Sequence, residues 1–262
     1  MTRALSAEWT KLRSVGSTRW TLAGALVSMV VFGVLLCAGS QTGGCLRDEC
    51  EDMVMLALGG VYLGQFAVAA LGVLAITSEY TTGLIRATFV AEPRRRLVLV
   101  AKALALAAAV FVIGLVASAV SYAIGHALLV GNGFTPEHGY PAASITDGPV
   151  LRAIVGTALY LAGIALLSLG IATVLRHTAA AISLVIALLW VPLIAASFMS
   201  ETAPYDVLLL RVTPMMPGIS IQRTIERSDS LPIGEWAGLG VTGLWAFGAL
   251  AVALWLVARR DA

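Results

Sequence analysis

Six runs of apolar residues, each near or above the roughly twenty that a helix needs to cross a bilayer, leave this chain little choice of fold. They fall at about 20–38, 53–77, 97–129, 151–175, 179–199 and 236–258. Backbone amides find no water in hydrocarbon, so each run must satisfy its own hydrogen bonds as a helix. Composition agrees. The chain is 59% hydrophobic and 12% charged, with a mean hydropathy of +0.90, against roughly 25% charged residues in soluble domains. No polar stretch is long enough to build a soluble domain. The expectation is an all-α integral membrane protein in which residues 1–262 form one transmembrane domain.

The runs differ in ways that matter. The first exceeds the roughly 7–15 apolar residues of a signal peptide and ends in no small-x-small pattern, so it reads as a retained span. In the second, Gly60 and Gly64 stand at small-xxx-small spacing beside Gln65, which favours close helix approach. The third is longer than one crossing requires, and so either tilts or continues past the surface. Pro192 lies inside the fifth and should kink it.

The connections carry the polar residues. In 1–19, Leu5, Trp9, Leu12 and Gly16 share one helical face while Arg3, Ser6, Thr10, Arg13 and Ser14 take another, the pattern of an amphipathic helix lying in the membrane interface. Residues 39–52 form an acidic loop containing Cys45 and Cys50. Two readings stay open there: a disulfide if the loop faces an oxidising compartment, or a pair of free thiols. Residues 200–235 alternate short apolar pieces with Pro204, Pro214, Pro217 and Pro232. None is long enough to cross, so short extracellular or re-entrant helices capping the spans are expected.

Charge then orients the chain. Six crossings put both termini on one side. The termini, the stretch 78–102 and the 176–178 turn hold twelve of the seventeen bases and four of the fifteen acids. Basic residues near span ends resist translocation, so that side is expected to be cytoplasmic and the protein a multi-pass component of the cell membrane. The stretch 78–102, with Arg86, Arg94, Arg95, Arg96 and Lys102, reads as a cytoplasmic handle for a soluble partner that supplies energy.

Chemistry of the chain's own is hard to find. No GxxxxGK[ST], HExxH or GxSxG occurs, and the chain has only two lysines. His126, His138 and His177 are far apart, so neither a metal site nor a catalytic role is expected. No span has Asp, Glu, Lys or Arg at its centre, where coupled transporters usually keep such groups. Either the protein is passive or its energy comes from outside.

Three segments carry a family likeness. SAEWTKLRS near the start, E-Y-x-x-G-x-I-R from Glu79 to Arg86 followed by P-R-R-R-x5-K, and LSLGIATVLRHTAAAI around the fourth-to-fifth turn together resemble ABC-2 type transporter permeases, over essentially the whole chain. Leu84-Ile85 stands where G-T-[IL] is more usual after the glycine. The resemblance implies a non-catalytic permease dimer bound to two separate ATP-binding subunits, which would hold the ATP and magnesium; no cofactor is expected on this chain. It puts Glu79, Tyr80, Gly83 and Arg86 on a cytoplasmic coupling helix, with Pro93, Arg94, Arg95 and Arg96 at its exit, the coupling segment being 78–96. It also implies a cargo path along the second and fifth spans, where Tyr62, Gln65, Phe66, Trp190 and Phe198 are candidates. A second reading of the same handle is a docking, immunity or assembly protein that binds a partner without transporting.

Overall fold

The computed structural model describes residues 2–14, 16–41, 50–84, 95–141, 144–198, 204–225 and 233–259. Among the described residues the protein is entirely helical: α1 (Thr2–Ser14), α2 (Gly16–Gly39), α3 (Met53–Ala57), α4 (Val61–Thr81), α5 (Arg95–Gly131), α6 (Gly148–Leu175), α7 (Thr178–Ser197), α8 (Pro204–Val212), α9 (Met215–Ile219) and α10 (Glu235–Arg259), with short 3-10 turns at Pro136–His138 and Ser220–Gln222. Six of these, α2, α4, α5, α6, α7 and α10, are long and apolar enough to cross a membrane. This is a multi-pass membrane protein.

The bundle is built around α6. Of its most apolar window 67% is buried, against 17% for α7 and 22% for α10. Small residues let its neighbours approach. A Cβ on Gly156 would meet Ile221, one on Gly170 would meet the Ala249 backbone, and Gly114 of α5 sits on Ala158. In a bilayer there is no hydrophobic gain from helix association, so such close backbone packing supplies much of the cohesion. The outward faces of α7 and α10 are left apolar: Leu184, Val191, Leu244 and Phe247 are all exposed.

The second apolar run is not one helix. It is split into α3 and α4 by a turn at Leu58–Gly60, which crosses α2 at Met29 and Gly33. Gly60 and Gly64, seen in the sequence as a packing motif, both face Met29. The third run is a single helix of 37 residues, about 55 Å at 1.5 Å per residue, far beyond a hydrocarbon core of about 30 Å. It therefore continues past the membrane. Pro192 does not end α7, which runs on to Ser197. Between α6 and α7 there is only a two-residue turn: Arg176 takes a left-handed conformation (φ 54°), and His177 caps α7 by accepting from the Ala180 amide at 3.2 Å.

The proline-rich stretch before α10 folds into the bundle rather than lying on it. Met215, Ile219 and Ile221 are buried. Thr242 of α10 donates to the Pro214 carbonyl at 2.7 Å, and Gln222 donates to Thr157 of α6 at 2.9 Å. Its prolines cannot continue a membrane helix, and the Thr242 hydroxyl satisfies one carbonyl freed there.

Candidate functional site

One end of the bundle gathers α1, the last turn of α4, the first turns of α5, the α6–α7 turn and the end of α10. We call it the basic end. Both lysines of the chain meet there with two glutamates. Glu8 accepts from Lys11 at 2.8 Å and from Lys102 at 2.6 Å; a single oxygen of Glu79 accepts from Lys102 at 2.9 Å and from Lys11 at 3.0 Å. The side chains of Glu8, Glu79 and Lys102 are only 6%, 9% and 7% exposed, while Lys11 is 41% exposed. Two acids and two bases cancel, which is the condition for holding charges away from water. Burial pulls the Lys11 ammonium down, but the hydrogen bonds and charges of Glu8 and Glu79 outweigh it and leave its pKa above the ordinary 10.5. Its part of the stability is therefore fully present below that value and is lost only as pH rises past the raised one.

The geometry explains why these residues meet. In α1, Glu8 and Lys11 are three apart and share a face; that face turns to the bundle, while Leu5 and Trp9 remain partly exposed beside it. Because α5 overshoots the membrane, Lys102 sits two turns into it and still lies level with the end of α4. The network thus joins three elements remote in sequence. A second link lies beside it: the Arg176 guanidinium sits over the Tyr80 ring, 5.2 Å from its centre, tying the α6–α7 turn to α4.

Of the expected handle residues, Glu79 is therefore not an exposed grip. Its carboxylate is committed inside the protein, and its second oxygen is buried without a hydrogen bond. Tyr80 is half-buried and Gly83 adopts φ 71°, a conformation that favours glycine. Arg95 opens α5. Arg86, Pro93 and Arg94 lie outside the described residues. Glu8 and Lys11 were missed by the reading of α1 as a two-faced amphipathic helix. The available signals were that Glu8 is one of few acids on the basic side and that the chain has just two lysines.

The five residues expected along the cargo path are not one surface. Phe66 stacks on Trp190 (centroids 5.5 Å apart, planes 14°), and Tyr62 meets the same indole edge-on at 6.2 Å. This trio joins α4 to α7, and the Trp190 Nε1 is buried without an acceptor. Gln65 instead turns into the core. It is fully buried, donates to Met215 Sδ at 3.4 Å and to the Tyr62 carbonyl at 3.2 Å, and accepts from the Tyr160 hydroxyl at 2.6 Å. With these hydrogen bonds it pins α4, α6 and α9 together. Phe198 stands apart at the end of α7, 86% exposed.

The opposite end is locked by Asp52. One of its oxygens caps α3 by accepting from the Val54 and Met55 amides at 3.0 and 3.1 Å, and also takes the Thr224 hydroxyl at 2.8 Å. The other accepts from the Thr224 and Ile225 amides. Five donors on one carboxylate hold the start of α3 to the segment leading out of α9. Asp52→Asn would turn an amide NH₂ towards donors on one side or the other. A loss of about 2 kcal/mol is expected, read as a lower denaturant midpoint in detergent. Cys50, next to this site, is disulfide-bonded; Cys37 is a buried free thiol, and Cys45 lies outside the described residues. Among the described residues no group of three His, Cys, Asp or Glu side chains is arranged to hold a metal.

Compared with models of known protein families and with curated proteins, the chain matches none.

Proposed function

We propose that this chain is the non-catalytic membrane subunit of an ATP-driven ABC exporter of the ABC-2 type. In this reading the basic end faces the cytoplasm of a cell whose plasma membrane the chain spans. α1 lies in the interface, and a coupling helix within 78–96 receives the motion of two separate ATP-binding subunits that carry the ATP and magnesium.

The observation that carries the reading is the four-residue ion network. A segment that transmits force needs a rigid mount, and Glu79, where the 78–96 segment leaves α4, is fastened to both α1 and α5. Glu79 is then a positioning residue that holds the segment, and contact with the partner falls to the residues beyond it, Arg86, Arg94 and Arg95 among them. Two copies would meet through α4 and α7, the latter being the least covered span. Cargo would pass beside Tyr62, Phe66, Trp190 and Phe198. Such an apolar lining suits hydrophobic drugs, lipids or amphipathic peptides.

The test is purification of tagged protein in mild detergent with ATPase activity assayed on what accompanies it. An ATP-hydrolysing partner is expected, lost from Arg86→Ala/Arg94→Ala while thermal unfolding stays unchanged. Glu79→Gln should retain the partner but uncouple hydrolysis from transport. A chain that purifies alone and moves no cargo would overturn the exporter reading in favour of a docking, immunity or assembly protein.

A further inference from the structure

Between α6, α7 and α10 runs an open groove of about 570 Å³. Its walls are apolar throughout: Ile171 and Leu175 of α6, Leu184 of α7, and Leu244, Gly248 and Val252 of α10 are representative. The indole N–H of Trp245, one of its lining residues, is taken up by donation to the Val212 carbonyl at 2.7 Å. That bond also ties α10 to the end of α8 and bounds the groove at this level. In the other direction the groove follows α10 towards the basic end. Leu244, Gly248, Val252, Trp255 and Arg259 fall at helical spacing along one face of α10. The groove's lining on α10 ends at Val252; beyond it on the same face, the exposed Arg259 guanidinium lies over the Trp255 ring, 4.3 Å from its centre. No carboxylate among the described residues pairs with Arg259.

From these features we propose that the groove is a binding site for one anionic phospholipid of the leaflet at the basic end, with an acyl chain along Leu175, Gly248 and Val252 and the phosphate on Arg259. Three observations select this occupant. The groove lies within spans, where its walls meet hydrocarbon rather than water. Its length fits one leaflet: on α10 its lining runs from Leu244 to Val252, about 12 Å of helix, against about 15 Å for half a hydrocarbon core. Arg259 stands about 10 Å further along the same face, at the step to the headgroup. A span from a second copy would need a groove twice as long. The charge is complementary, with a cation stacked on tryptophan at the depth where headgroups lie. This proposal requires the membrane topology but not the exporter reading.

Native mass spectrometry of the delipidated, full-length protein titrated with phosphatidylglycerol or phosphatidylcholine tests it. One phosphatidylglycerol should bind at least about tenfold more tightly than phosphatidylcholine, because both present a phosphate to Arg259 but the choline cation of the second opposes the guanidinium and cancels the net charge. Arg259→Gln should abolish that preference. Gly248→Leu should fill the groove and remove the tight site for both lipids. A Cβ at Gly248 meets nothing within 4 Å, and the same holds at Gly240, which does not line the groove, so Gly240→Leu is the matched control and should bind normally. Equal affinity for the two lipids, or an Arg259→Gln protein that keeps the preference, would overturn the headgroup assignment. Unchanged lipid binding by Gly248→Leu would overturn the groove as its location. If Gly248→Leu instead dissociated a dimer, the occupant would be a second copy and the proposal would fail.

Discussion

Lys102→Met is expected to destabilise the protein by about 3–5 kcal/mol, because it strips the shared counterion from two buried carboxylates. In the native protein Lys102 bridges Glu8 and Glu79 at 2.6 and 2.9 Å. Lys11 alone, partly exposed, cannot neutralise both. A methionine fills the same space, so the loss reports charge rather than volume. The control is the double variant Lys102→Met/Glu8→Gln, which leaves one acid against one base. It should recover at least half of the stability, measured by denaturant titration in detergent. A single variant as stable as the native protein would show that the network holds nothing together. Since the network fastens α1 to α4 and α5, proteolysis within α1 should accelerate in Lys102→Met and slow again in the double variant.

Gly60→Ala should cost about 3 kcal/mol or more, at the upper end of overpacking effects. The added Cβ would lie 1.7 Å from the Met29 carbonyl oxygen and 2.6 Å from its carbon. Both atoms are backbone, so no rotamer change relieves the clash, and α2 must separate from the turn that splits α3 from α4. Glycine is needed at Gly60 for space alone: its φ is −56°, which any residue adopts. The neighbouring Gly59→Ala is the discriminating control. Its nearest contact is Leu36 Cδ1 at 2.7 Å, the end of a flexible side chain that can move, so a loss of about 1 kcal/mol or less is expected. Thermal unfolding of the two variants side by side checks the difference. Equal losses would mean that the α2 crossing is not the tight point of the bundle.

The six spans were legible in the sequence because hydropathy is a local property that adds residue by residue. The expected 151–175 and 236–258 become Gly148–Leu175 and Glu235–Arg259, and 97–129 becomes Arg95–Gly131. The helical breaks before α10 were likewise visible, since proline acts on its own backbone whatever surrounds it. The split of the second run was not. Gly59 and Gly60 sit in an apolar stretch with no charge or proline, and only the approach of Met29 shows why the helix gives way there. The site residues follow the same division. Their sequence pattern placed Glu79, Arg94, Arg95 and Lys102 in one basic handle, because sequence proximity was the only information available. The tertiary structure sends Glu79 and Lys102 inward to meet Glu8 and Lys11, 71 and 94 positions away from Glu8 along the chain for the first two. Gln65 was named a path candidate through the family resemblance, which carries no packing information; that it bonds to Tyr160 and Met215 is visible only in the folded bundle. Composition alone determines that these helices enter a membrane, since each carries its own transfer free energy. Which buried charges find partners depends on helices being held side by side, and no single segment contains that information.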